Sequence, residues 1–279
     1  MSSVRIRVPA TSANIGPGFD CLGIALQVYN TVTVSHGESA PDLMADDAAA
    51  LFFQRSQIPS FAFQWAVEGE VPRSRGMGSS VTVRLGLLHG LNELSDRPLS
   101  SEALYEMCAE LEGHPDNAAP AAFGGFTIAH IGKPLQRYHV GESLYFVLLI
   151  PDFEVATPDA RRVLPATVTL HDAVVSSSNA AAIAGAFASG DYDKLVGCFE
   201  DRLHQPYRET LIPCLTPVLE AGQAAGALGG WLSGSGSTIA CLTKANAADV
   251  AQAMVAASGL ANTKTIIVQA DNVGVLVLP

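Results

Sequence analysis

The run from Phe61 to Leu94 limits the possible folds more than any other part of the chain. Phe61, Phe63, Trp65 and Val67 alternate strictly with Ala62, Gln64, Ala66 and Glu68, the period of a half-buried strand. Pro72 to Ser79 then forms a loop with two glycines, Gly76 and Gly78. From Ser80 to Leu94 the apolar residues Val81, Leu85, Leu88, Leu91 and Leu94 recur at helical spacing. A strand that turns through glycines into a long helix aims the helix's free N–H groups and positive end at the turn, which suits phosphate. No Gly-Lys-Ser/Thr follows, so the loop is not a Walker A motif. Taken alone, the same loop reads more readily as a flexible turn capped by Ser79 or Ser80.

Around this unit the chain mixes strands and helices throughout. Val4 to Val8, Ile24 to Val34, Gly125 to His130 and Leu144 to Ile150 read as strands closing a first lobe, with a polar loop from Pro9 to Gly18. A helix is predicted from about Ser100 to Leu111, with Ser100 as its cap and Glu102 near its positive end. Pro151 to Pro158 is the candidate junction. Beyond it, helices are predicted at Pro158 to Val163, Thr167 to Ala188, Asp191 to Leu203, Pro213 to Ala224 and Ala247 to Ala257. Strands are predicted at Leu228 to Leu232, Thr238 to Leu242, Thr265 to Val268 and Val273 to Leu278. The class is α+β, and 279 residues suffice for two lobes, placed at 1–150 and 151–279.

Charge and cysteine usage narrow the function. The formal charge is -11, with 16 basic residues scattered among 27 acidic ones, which argues against a nucleic-acid partner. The five cysteines show no Cys-x-x-Cys spacing, so neither a zinc site nor a disulfide framework is expected and a reducing, cytoplasmic setting fits best. Apolar runs such as Tyr145 to Ile150 are too short to span a bilayer, and no membrane partner is expected.

Three further stretches have the composition of sites. Glu112-Gly113-His114-Pro115-Asp116-Asn117 follows a helix whose Glu102, Glu106 and Glu110 lie four apart on one face, which by itself reads as a solvated face. Val8 to Asp20 is a polar loop beside the first strand, and Ser233-Gly234-Ser235-Gly236-Ser237-Thr238 reads as a hairpin turn.

In this order the four stretches resemble the GHMP superfamily of small-molecule kinases and, within it, the homoserine kinase family. The residues that carry the resemblance are Val8 to Gly23 (VPATSANIGPGFDCLG), Gly113-His114-Pro115-Asp116-Asn117 with Ala119-Pro120 and Gly124-Gly125, and Leu203-His204-Gln205-Pro206-Tyr207-Arg208 with Ile212-Pro213. It weakens at Pro41 to Gln57. It implies a two-lobed fold, with an N-terminal domain like that of ribosomal protein S5 and a C-terminal ferredoxin-like α/β sandwich. It also implies transfer of a phosphoryl group from ATP to the hydroxyl of L-homoserine, with Mg²⁺. Dimers are common in the family, which makes a homodimer the assembly the resemblance points to.

The resemblance assigns Pro72, Arg75, Gly76, Met77, Gly78, Ser79 and Ser80 to the nucleotide. It gives the cation to Ser80 and a helix glutamate, Glu106, with Glu110 one turn later as the alternative. The acceptor pocket becomes Asn14, Asp20, His114, Asn117, Thr157, Arg161 and Arg208. The two arginines would hold a carboxylate and Asp20 an ammonium. Thr157 before Pro158 reads as a helix cap sharing a face with Arg161. Sister kinases carry an aspartate where this chain has Asn117, and an amide accepts no proton, so Asn117 would orient the hydroxyl rather than deprotonate it. The sequence departs from the family at Met77, where methionine for leucine is nearly volume-conserving, at Val81 and Val83, and at Ser237, and none of these departures removes a named ligand. Two rival readings are a sister kinase for a mevalonate-like acceptor, which leaves Asp20, Arg161 and Arg208 unexplained, and a non-catalytic metabolite binder, which has no need of Ser80 and Glu106.

Overall fold

The computed structural model describes residues 3–279. Two strands, β1 (Ser3–Ala13) and β2 (Leu22–His36), make a long antiparallel hairpin. Its register runs from Ser3 opposite Ser35 to Ala13 opposite Gly23, with a shift between Pro9 and Ala10. The strand therefore continues through Pro9 to Ala13, where the sequence suggests a loop. Ala10 to Ala13 keep their ladder, and the buried Thr11 and Ser12 hydroxyls find partners within the fold. A helix, α1 (Leu43–Ser56), occupies the segment where no element was predicted, capped by Asp42. Then come β3 (Phe63–Gly69), α2 (Ser79–Leu94), α3 (Ser101–Glu112), α4 (Ala118–Phe123), β4 (Phe126–Ile128) and β5 (Gln136–Tyr138). Ser100 caps α3 as predicted, through the Ala103 N–H.

Helix α2 lies against the hairpin at close range. A Cβ placed on Gly86 or Gly90 would meet Val32 or Val34 of β2 at 2.3 or 2.4 Å, so only glycine permits this approach. One consequence is that the N-terminus of α2 is held beside the turn end of the hairpin, next to Thr11.

The strand at β6 (Tyr145–Pro151) leaves the first sheet, contrary to the sequence reading. It lies inside a second, four-stranded sheet of order β7-β8-β6-β9, with β7 (Gly229–Leu232), β8 (Ile239–Thr243) and β9 (Thr263–Val268). Its run Phe146 to Ile150 is buried on both faces, as an interior strand requires. Helices α5 (Thr157–Arg162), α6 (Leu170–Ser189), α7 (Gln205–Arg208), α8 (Leu215–Ala224) and α9 (Ala247–Ser258) complete this half. The long helix predicted at Asp191 to Leu203 shrinks to one tight turn at Tyr192–Leu195. Gly197 beyond it takes φ +81°, and the Asp201 carboxylate accepts from the Leu203, His204 and Gln205 N–H groups, organising a loop rather than a helix. The last strand, β10 (Leu276–Leu278), returns to pair with β1.

The sheets thus divide the chain near residue 144 and return its last residues to the first lobe, rather than dividing it at 150. They also share a core: Leu26 and Phe126 from the first sheet, Phe146 and Trp231 from the second, and Ile183 and Phe187 from α6 form one buried cluster. Phe126 stacks on Phe187 at 4.1 Å. No helix among the described residues is long and apolar enough to cross a membrane.

Candidate active site

A cleft of about 480 Å³, within the usual range for small-molecule sites, opens where the tip of the β1–β2 hairpin, the N-terminus of α2 and the second lobe meet. At its centre the glycine loop is built tightly. Gly78 has φ +67°, and a Cβ there would stand 2.1 Å from the Thr11 hydroxyl. No side chain caps α2, so its first N–H groups and dipole face the cleft. Met77 is buried and contributes through its backbone, its carbonyl accepting from Thr11 N–H at 3.2 Å. The second lobe holds the loop from behind: Ser233 Oγ donates to the Gly76 carbonyl at 2.6 Å, and Thr238 N–H to the Arg75 carbonyl at 3.1 Å. This cradle suits a polyphosphate.

Pro72 sits elsewhere, and Arg75 lines both the cleft and the groove behind it. Pro72 lines a separate groove behind the loop. The Arg75 guanidinium turns to the Pro151 carbonyl at 3.0 Å and to Glu154 at 3.2 Å, a clasp to the second lobe.

Glu106 is not brought to Ser80. It stands on the exposed face of α3 with Glu102 and Glu110, and Glu110 pairs with Arg55 at 2.7 Å. Glu112 takes the place assigned to it: its Oε2 accepts from the Ser80 hydroxyl at 3.0 Å, and its Oε1 from Arg84 at 2.6 Å. The reason is helical phase. Leu104, Met107 and Cys108 turn α3's buried face to α2, and only the last residue before Gly113 reaches the α2 N-terminus. Gly113, adopting φ +81° at the helix end, was the signal that marked Glu112 as lying at that corner. One hydroxyl and one carboxylate lining the cleft match the few protein oxygens that Mg²⁺ takes when phosphates and water supply the rest.

From the loop the site continues without a gap. Asn117 Oδ1 accepts from the Thr11 hydroxyl at 2.7 Å and lies 3.4 Å from where a Gly78 Cβ would be. Beside it the Asp116 carboxylate, buried, accepts from the Asn117 N–H at 3.0 Å and pairs with His114 Nδ1 at 2.7 Å. That hydrogen bond raises the His114 pKa above its ordinary 6.5. Asp20, His114 and Asp116 each place a ligand atom within 4.8 Å of the others, a corner shaped for a small cation such as an ammonium.

Asp20 is held in turn by Arg161, whose Nη1 and Nη2 reach its two oxygens at 3.1 and 2.8 Å. Asn14 fixes this corner from below, accepting from the Asp20 N–H at 2.8 Å and donating to the Gly234 carbonyl at 3.0 Å. Arg208 is 2% exposed and donates to the Ala160 and Gly234 carbonyls at 3.1 and 2.9 Å. Burial, then the charge of Arg161, pushes its pKa down to about 10, which leaves it charged at neutral pH. Both guanidiniums lie over the Phe19 ring, at 5.5 and 5.2 Å from its centroid. His204 stacks on the same ring at 5.3 Å. Burial lowers its pKa; neutral, it donates from Nε2 to the Gly16 carbonyl at 2.8 Å and turns Nδ1 to Arg208. Thr157 is the first helical residue of α5 rather than its cap, which is Ala156, and its hydroxyl faces Ser235 at 3.5 Å. At the far end Met44 of α1, Trp65 and Val67 of β3 and Val83 of α2 give the cleft an apolar wall that the sequence reading did not anticipate.

Fold and cleft together define a GHMP kinase. The GHMP kinases N terminal domain matches residues 44–125 and the GHMP kinases C terminal domain residues 173–259. A homoserine kinase from Caldicellulosiruptor bescii is 36% identical over 98% of this chain and 96% of its own. Another, from Synechococcus, is 37% identical over 96% of each. The crystal structure of homoserine kinase from Cytophaga hutchinsonii superposes with a TM-score of 0.90 at 24% identity, covering 100% of this chain and 98% of that one. The chain belongs to the homoserine kinase family.

Proposed function

We propose that the protein is a homoserine kinase, transferring the γ-phosphoryl group of ATP to the side-chain hydroxyl of L-homoserine in threonine biosynthesis. The observation that carries this reading is the continuity of the cleft. The uncapped helix behind Gly76 to Ser80 and the Asp20–Arg161–Arg208 corner face one cavity, with Asn117 between them. The phosphates rest on the backbone of Gly76 to Ser80, and the purine lies along Trp65 and Val67. Ser80 and Glu112 hold Mg²⁺, which supplies neutralisation of the phosphate charge when bound. Asp20 receives the ammonium, and Arg161 and Arg208 the carboxylate, in the planar pairing that guanidinium favours.

So held, the acceptor hydroxyl lies beside Asn117. Its oxygen bonds to the γ-phosphorus, the bond from phosphorus to the bridging oxygen of ADP breaks, and the hydroxyl proton passes to the transferred phosphate. Asn117, anchored by Thr11 and Asp116, orients the hydroxyl. No side-chain base is required, because phosphoryl transfer relies mainly on positioning and charge stabilisation. A cytoplasmic location and a homodimer are the further features that family kinship suggests.

The test is ADP release with L-homoserine, its hydroxy-amino-acid relatives and mevalonate as acceptors. Saturable turnover on L-homoserine alone supports the proposal. Turnover on mevalonate and none on L-homoserine would move the protein to a sister activity.

A further inference from the structure

We propose that Arg84 sets which cation the cleft accepts, by occupying one oxygen of Glu112 and leaving the other for the metal. The proposal rests on the assignment of Ser80 and Glu112 as the cation's ligands. Ser80 and Arg84 stand one turn apart on α2, so they share a face, and the end of α3 delivers Glu112 to both. The Ser80 hydroxyl donates to Oε2 at 3.0 Å and Arg84 Nη1 to Oε1 at 2.6 Å. The same Nη1 also donates to the Leu111 carbonyl at 3.0 Å, which ties the arginine to the helix end itself.

Glu112 and Arg84 depend on each other. The carboxylate is only 10% exposed and sits at the negative end of α3, both unfavourable for its charge. Arg84, 17% exposed and with Nε buried and unpartnered, is the cation bonded to it. Glu112 is therefore held fixed, with Oε1 engaged and Oε2 towards Ser80.

That division matters because divalent cations differ in what they ask of a carboxylate. Mg²⁺ takes single oxygens in a tight octahedron, whereas the larger Ca²⁺ gains from both oxygens of one carboxylate. Arg84 leaves a one-oxygen ligand, which satisfies Mg²⁺ and obliges Ca²⁺ either to forgo an oxygen or to break the Arg84 pair. Arg84 touches neither nucleotide nor acceptor and acts as a positioning residue.

Calorimetric titration with the Mg²⁺ and Ca²⁺ complexes of a non-hydrolysable ATP analogue tests this without turnover. Wild type favours the Mg²⁺ complex; Arg84→Gln lowers that preference by about tenfold and Arg84→Lys by less. Loss of a positive charge alone would tighten both complexes together. An unchanged ratio in Arg84→Gln, whatever the direction of the individual affinities, overturns the proposal. Should the variant not fold, a crystal structure of the wild-type Mg²⁺ complex decides: Oε2 on the metal with Oε1 on Arg84 supports the proposal, and both oxygens on the metal refute it. Binding of neither complex to wild type would instead remove the nucleotide assignment, and the Arg84 role with it.

Discussion

Arg161 grips both oxygens of Asp20, at 3.1 and 2.8 Å, in the corner where an amino acid's two charges are to be bound. An acceptor carrying ammonium and carboxylate replaces that one ion pair by two. An acceptor with one charge leaves a partner bare. The pair itself is half exposed, with side chains at 39% and 32%, so it contributes no more than about 1 kcal/mol to stability. Arg161→Ala is therefore expected to raise KM for L-homoserine by at least about tenfold. KM for ATP and the thermal midpoint should barely move. Initial-rate kinetics and thermal unfolding check both halves of the expectation.

Arg208 behaves differently because it is buried. Arg208→Ala removes the guanidinium donor from the Ala160 carbonyl and one of two donors from the Gly234 carbonyl, empties a buried site, and should destabilise the fold by about 2–4 kcal/mol. In the protein that remains folded, KM for the amino acid rises far more than KM for ATP. Equal damage to both, measured under the same conditions, contradicts a carboxylate role.

Asn117 is fixed by the Thr11 hydroxyl at 2.7 Å and by its own N–H on Asp116. Asn117→Asp keeps the shape and adds a base. If the reaction needs none, activity persists and kcat rises by less than about tenfold, roughly 1.4 kcal/mol of barrier. A larger rise shows that proton removal limits the native enzyme.

The His114–Asp116 pair makes stability depend on pH with a definite sign. The histidine's pKa in the fold lies above its ordinary 6.5, chiefly through the hydrogen bond to Asp116, so the folded chain binds the proton more tightly. Its contribution is complete below pH 6.5 and fades as pH rises through the higher folded value. Urea unfolding from about pH 6 to about pH 8 should show wild type losing stability relative to Asp116→Asn. Parallel curves contradict the coupling.

Glu112→Gln and Glu106→Gln separate the two candidate cation ligands. The first removes a buried carboxylate bonded to Ser80 and Arg84, and should lower kcat by about a hundredfold or more. The second alters an exposed face of α3 and should leave kinetics unchanged. The reverse result restores Glu106.

How much of this was legible in the residues varied with the range of the interaction. Alternation at Phe61 to Glu68 and helical spacing at Val81 to Leu94 are local, and β3 and α2 appear where those patterns lie. The placement of β6 was not local. A run such as Phe146 to Ile150 reads the same in either sheet, and its neighbours Ile239 and Thr265 lie about a hundred residues away along the chain. The site divided in the same way. The Gly76–Ser80 loop, Asp20, His114, Asn117, Arg161 and Arg208 were nominated from motifs, and the structure brings them to one cleft. Glu112 was missed because counting back along a helix says nothing of where the helix stops. The clasp of Arg75 on Asp152 and Glu154 was illegible because those partners are remote in sequence.

The most direct test of the central claim is ³¹P NMR of a reaction containing the protein, Mg²⁺, ATP and L-homoserine. A phosphomonoester resonance coupled to the methylene protons next to the homoserine oxygen should grow mole for mole with ADP. ADP accompanied only by inorganic phosphate, or no change in the ATP resonances, would contradict the claim.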